Sequence, residues 1–233
     1  MLWYKGWLET RPMALFMLLF ALFPIVLFLA VPRPANSAPQ VSGATAETAM
    51  TFNALYYSFI PLALAGSGIK TQSARMKRGV HGSTYFTLSL PVSRFRLFAT
   101  RAGLGILETI ALLAIAPCAL RIAAIGPEDH VSRSDLFGFW VTLTVCASAI
   151  YFLGVLLSTI LEDPVRGWAS MFGLVCVYGL LSKVPLLAPL NFFRAIVSPL
   201  FTHSLPWTSM GISLAVAAVL GFLALRVVQT REY

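Results

Sequence analysis

The chain is built from long apolar runs joined by short polar stretches. The runs cover about 12–31, 50–70, 102–125, 136–160, 168–189 and 208–228. Each holds roughly 20 residues or more, enough at ~1.5 Å per residue to cross a hydrocarbon core of ~30 Å. No stretch shows the apolar–polar alternation of an outer-membrane barrel strand, so helices must satisfy the backbone in lipid. The pattern predicts an all-α, polytopic integral membrane protein: one transmembrane domain over 1–233 with six transmembrane helices.

Composition agrees with the pattern. Only 11% of the 233 residues are charged and 58% are hydrophobic, whereas soluble domains carry about a quarter charged residues. The net charge of +8 does not point to nucleic acid, because the basic residues gather at the ends of apolar runs. With both termini in the cytoplasm, twelve of the seventeen lysines and arginines fall on that side: Lys5, Arg11, Lys70, Arg75, Lys77, Arg78, Arg94, Arg96, Arg101, Arg166, Arg226 and Arg231. Arg33, Arg121, Arg133, Lys183 and Arg194 fall on the other. That asymmetry predicts an N-in, C-in, multi-pass protein of the cell inner (cytoplasmic) membrane. An outer loop over 126–135 carries Glu128, Asp129 and Asp135. The first run is longer than a signal-peptide core and is followed by Pro32-Arg33-Pro34, so it is expected to stay as an anchor.

Ahead of that anchor, WYKGWLETRP is too polar to span. Trp3, Tyr4, Trp7 and Leu8 can form one face of a short interfacial helix over 1–11, with Lys5, Glu9 and Arg11 toward water. An aromatic belt ahead of the first span is the simpler alternative. Trp3, Trp7, Arg96 and Arg101 are the expected interfacial anchors, the arginines reaching lipid phosphates.

The longest joint, 71–101, is a basic cytoplasmic loop with six lysines or arginines and no acid. Its second half is patterned. Ser83, after Gly82, can cap a short helix by accepting from a free amide. Thr84, Tyr85, Phe86, Leu88 and Leu90 follow, too apolar for a solvated linker. Pro91 ends the segment by pushing residue 90 out of helical angles. Ser93 can then cap the helix that becomes the third span, with Arg94 in its first turn. Such an apolar face on a cytoplasmic loop is either a docking element for a partner or a lid over the protein's own spans.

These residues carry a family resemblance. Gly82, Ser83, Leu88, Ser89, Leu90, Pro91, Val92, Ser93 and Arg94, followed by Arg101, resemble the first cytoplasmic loop of ABC-2-type ABC transporter permeases. The six-span layout and the closing Arg231-Glu232-Tyr233 are similar too. The resemblance implies the membrane subunit of an ATP-driven exporter, forming the translocation pathway. Ser83, Thr84, Tyr85, Phe86, Leu88, Leu90, Pro91 and Arg94 would be its ATPase-coupling residues. ATP and Mg would be bound by a separate cytoplasmic ABC ATPase subunit and no cofactor by this chain. The permease would act as a homodimer or beside a similar permease, in contact with membrane lipids. The resemblance also implies an interfacial N-terminal helix and a re-entrant segment before the last span, for which 190–206 is suited. Lys77-Arg78-Gly79-Val80-His81 stand where members often place an acid before the Gly-Ser pair.

Candidate chemistry is sparse. AGSGIKT at 65–71 imitates a phosphate-binding loop, but Ile69 occupies the glycine position and would block backbone approach to phosphate. His81, His130 and His203 lie in separate joints, and Cys118, Cys146 and Cys176 inside apolar runs, so no metal site is expected. Catalytic residues are not expected either. Glu108 lies seven residues past Arg101, ~10 Å deeper along a helix, where a bare carboxylate costs a few kcal/mol. It either lines the pathway or makes a structural polar contact between spans; Asn53 has the same two readings. A non-transporting scaffold or assembly factor, recruiting a cytoplasmic protein through the same loop, is the other function class. A polytopic enzyme centred on Glu108 is a third.

Overall fold

The computed structural model describes residues 2–30, 43–65, 93–123, 132–160, 173, 176–177 and 191–230. All regular structure among them is helical. The helices are α1 (Leu2–Ala30), α2 (Gly43–Leu64), α3 (Arg94–Leu113), α4 (Ile115–Ala123), α5 (Arg133–Ile160), α6 (Phe192–Val197), α7 (Pro199–Thr202) and α8 (Trp207–Thr230). Among the described residues three stretches are long and apolar enough to cross a membrane: Phe98–Ile122, Arg133–Thr159 and Trp207–Thr230. A shorter apolar helical stretch covers Thr10–Val26. The run expected at 168–189 lies almost wholly outside the described residues.

Helix ends depart from the apolar edges in instructive ways. Residues 2–11 are the opening turns of α1, continuous with the apolar run, where the sequence predicts a separate interfacial segment. Helix α2 begins at Gly43, ahead of the predicted 50. Its alanine-rich start is weakly apolar yet favourable for helix, and hydropathy registers only the first property. The third span is two helices, broken at Ala114. Pro117 explains the break, since its ring has no N–H for the Leu113 carbonyl.

Residue pairings give the relative helix directions. Trp3 lies against Gly103 and Thr10 bonds Glu108, so α1 and α3 run parallel. Tyr151 bonds Ala102 near the start of α3, although it lies late in α5, so those two run antiparallel. Helix α8 runs parallel to α5: Met210 meets Thr142, Ser213 meets Cys146 and Gly221 meets Phe152. One end of the bundle thus holds the start of α1, the Ser93 end of α3 and the end of α8. The opposite end holds Asp135 and His203.

Helix α5 is the hub. Tyr57, Leu113, Phe139, Leu143, Cys146 and Ile196 belong to a buried cluster drawn from six helices, α1 to α6. Close approach depends on glycine. A Cβ on Gly154 would fall 2.5 Å from the Ala65 Cβ, so only glycine lets α2 and α5 meet there.

Segment 190–206 folds as the two short helices α6 and α7. Asn191 caps α6 by accepting from the Arg194 N–H at 3.1 Å. Phe193, Ala195, Ile196, Val197 and Pro199 are buried, and Phe193 joins Leu55, Leu62 and Ile150 in a second cluster. Pro199 packs on Gly138, and His203 ends α7 in the left-handed region at φ 51°.

Candidate functional site

The Ser93 end gathers most of the described residues that the sequence singles out. Ser93 has extended backbone angles, and its hydroxyl accepts from the Arg96 N–H at 3.3 Å. The expected cap is therefore present. Arg94 is the first helical residue of α3, and Arg96 and Phe95 are exposed on its opening turn. Arg101 follows, half-buried, two turns on. Ser83, Thr84, Tyr85, Phe86, Leu88, Leu90 and Pro91 lie outside the described residues.

Seven residues beyond Arg101, Glu108 is 8% exposed at the α1–α3 contact. Thr10 Oγ1 donates to its Oε1 at 2.5 Å. The other oxygen, Oε2, is buried without a hydrogen-bond partner. Thr10 opens the apolar stretch of α1, Thr10–Val26, whereas Glu108 is the eleventh residue of the 25-residue stretch Phe98–Ile122. Arg11, the next residue on α1, is exposed.

Glycine brings a third helix close. Gly105 lies one turn before Glu108, and a Cβ on it would clash with the Tyr151 hydroxyl. That hydroxyl donates to the Ala102 carbonyl at 3.2 Å. Helix α3 is thereby tied to α1 through Thr10–Glu108 and to α5 through Ala102–Tyr151. A displacement of α3 must strain or break one of these two ties.

Other predicted residues stand elsewhere. Asn53 is half-buried on α2, one turn before Tyr57, whose hydroxyl bonds the Ala21 carbonyl. Ala21 is eleven residues past Thr10, about 16 Å along α1. The structure thus does not bring Asn53 and Glu108 together. Trp3 and Trp7 are partly exposed on α1, with the Trp3 ring tip 3.5 Å from a Cβ built on Gly103. Among the described residues no group of three His, Cys, Asp or Glu side chains could hold a metal ion.

Sequence reasoning did not single out Thr10, the partner of Glu108. It also missed the pairing of Asp135 with His203, whose Nδ1 lies 2.8 Å from Oδ2. Asp135 belongs to the buried first turn of α5 rather than to an outer loop. There it also suits the positive end of the helix dipole. Comparison with known protein families, characterised proteins and solved structures finds no match for this chain.

Proposed function

We propose that the chain is the permease subunit of an ATP-driven ABC exporter of the ABC-2 type. In this reading it has six transmembrane helices in the cell inner membrane, with both termini in the cytoplasm. Segment 83–91 is a coupling helix that docks on a separate ATPase subunit, which binds ATP and Mg. Two permeases, identical or similar, form the pathway between them.

The observation that carries the reading is the patterned segment from Gly82 to Arg94 and its direct passage into a capped helix. Ser93 both ends the loop and begins α3, so a load applied to the loop acts on α3 at once. The ties from α3 to α1 and α5 supply a route for that load into the bundle. The shared end of α1's start and α8's finish is in keeping with both termini on one side. The basic Arg94, Arg96 and Arg226 at that end favour the cytoplasmic leaflet.

The test is co-purification of the full chain with ABC ATPases from its own cell, followed by ATP-driven flux in proteoliposomes. Tyr85→Asp with Phe86→Asp should abolish both association and flux. Association without flux would replace the permease reading with that of a scaffold. Unchanged association in the double variant would remove the coupling role from this segment.

A further inference from the structure

Two of the bonds that hold α3 to its neighbours are unequal. Thr10 Oγ1 donates to Glu108 Oε1 at 2.5 Å, between two buried side chains. The Tyr151 hydroxyl donates to the Ala102 carbonyl at 3.2 Å. A bond to a carboxylate is roughly twice as strong as one between neutral groups. Ala102 is also an interior residue of α3, so its carbonyl takes the helical N–H of Ile106 and stays satisfied if the tyrosine leaves. The tie to α5 is therefore the weaker of the two.

Glu108 offers that hydroxyl a second acceptor. Its Oε2 is buried without a hydrogen-bond partner, and a buried acceptor left unpaired is destabilising. Ala102, Gly105 and Glu108 follow one another at i, i+3 and i+6, with Gly105 about 60° round the helix from each of the others. Side chains on a helix lean toward its N-terminus, so the Glu108 carboxylate leans toward the turn of Gly105. Helical carbonyls point the other way, which brings the Ala102 oxygen toward the same turn. The Tyr151 hydroxyl lies against Gly105, where any Cβ would meet it. It thus stands between its present acceptor and the unpaired one. Glu108 and Tyr151 already interact electrostatically through the interior.

The neighbouring contacts divide the four helices into two pairs. Trp3 lies against Gly103 and Thr10 bonds Glu108, so α1 travels with α3. Gly221 receives Phe152 and Ser213 bonds Cys146, so α8 stays with α5.

We propose that Tyr151 is a two-position switch. Its hydroxyl passes from the Ala102 carbonyl to Glu108 Oε2 when α1 and α3 move together along α5 toward the Ser93 end. Helix shifts of ~1–2 Å are the usual scale of such transitions. The switch goes beyond the permease reading and does not depend on it.

The experiment uses the full chain in phosphatidylcholine nanodiscs, with 13C at the tyrosine ζ carbons and the alanine methyls. Tyr151→Phe and Ala102→Ser identify the two signals. Chemical-exchange NMR should find a second state of Tyr151 populated at ~0.1–10% and exchanging on the μs–ms scale. The Ala102 methyl should exchange at the same rate. Glu108→Leu should abolish the second state, and so should Thr10→Val with Glu108→Leu, which leaves no threonine hydroxyl unpaired. Thr10→Ser should keep it. The absence of a second state in the wild type, or its survival in both leucine variants, overturns the proposal. Exchange of Tyr151 without Ala102 would mean that the ring turns on a fixed α3, and overturns it too.

Discussion

The Tyr56 hydroxyl donates to the Phe20 carbonyl at 2.5 Å, with the two rings stacked 4.3 Å apart. That carbonyl is the one Pro24 deprives of its helical donor, four residues on. The same repair recurs where Pro199 follows α6: the Ser198 hydroxyl donates to the Ala195 carbonyl at 2.9 Å. Prolines are tolerated in apolar helices when a neighbouring hydroxyl takes over in this way. Tyr56→Phe keeps the stack and loses the donor. It should destabilise the protein by about 1–3 kcal/mol, the cost of leaving this part-buried carbonyl unsatisfied, measured by denaturant titration in detergent. Replacing Pro24 by alanine in that variant restores the backbone N–H and should recover most of the loss.

The close approach of Gly105 to Tyr151 gives a second expectation. Gly105→Ala places a methyl group against the Tyr151 hydroxyl and should cost about 1–3 kcal/mol through overpacking. Tyr151→Phe alone loses the bond to Ala102. The double variant should be more stable than the sum of the single losses implies, because removing the hydroxyl relieves the clash. A double-mutant cycle on thermal midpoints checks this, with a coupling of ~0.5–3 kcal/mol expected for residues in contact.

These contacts mark how far the sequence was legible. Helix α3 was, because Pro91 and Ser93 punctuate the chain locally and the cap needs only a hydroxyl and a free amide. Helices α5 and α8 were too, since their apolar runs coincide closely with their ends. The true extents of α1 and α2 were not, because hydropathy reports exposure to lipid and not continuity of the backbone. Glu108 stood out as a carboxylate in an apolar run. Its partner did not, since Thr10 lies 98 residues away and nothing local marks it. The joining of Asp135 to His203 was hidden for the same reason: it depends on how α7 returns to α5.

That return yields a third expectation. His203 has a side chain 71% exposed, whereas Asp135 is 9% exposed. Loss of the imidazole would thus leave a buried carboxylate unpaired. His203→Ala should destabilise the Asp135 end by about 1–3 kcal/mol and speed amide exchange in α7 and the first turn of α5. His203→Gly relieves the left-handed backbone but also abandons Asp135, and should recover only part of the loss. Asparagine tolerates φ > 0 and carries a short amide donor, so His203→Asn should be the mildest of the three. Equal exchange rates in all three variants would show that the pair does not hold α7 in place.

The Thr10–Glu108 tie separates structure from transport. Thr10→Val leaves both carboxylate oxygens buried without a donor and should cost about 1.5–3 kcal/mol, the range for a bond to a charged group. Thr10→Ser keeps the donor and should stay close to wild type. Removing both polar partners is a different perturbation, because an apolar pair of similar shape carries no desolvation cost. Thr10→Val with Glu108→Leu should therefore regain much of the stability that Thr10→Val loses. This double variant then discriminates the two roles of Glu108. If it folds and still supports ATP-driven flux, the carboxylate serves to position α1 on α3. If it folds and flux is lost, while Glu108→Gln retains it, a polar group at 108 is needed in the pathway.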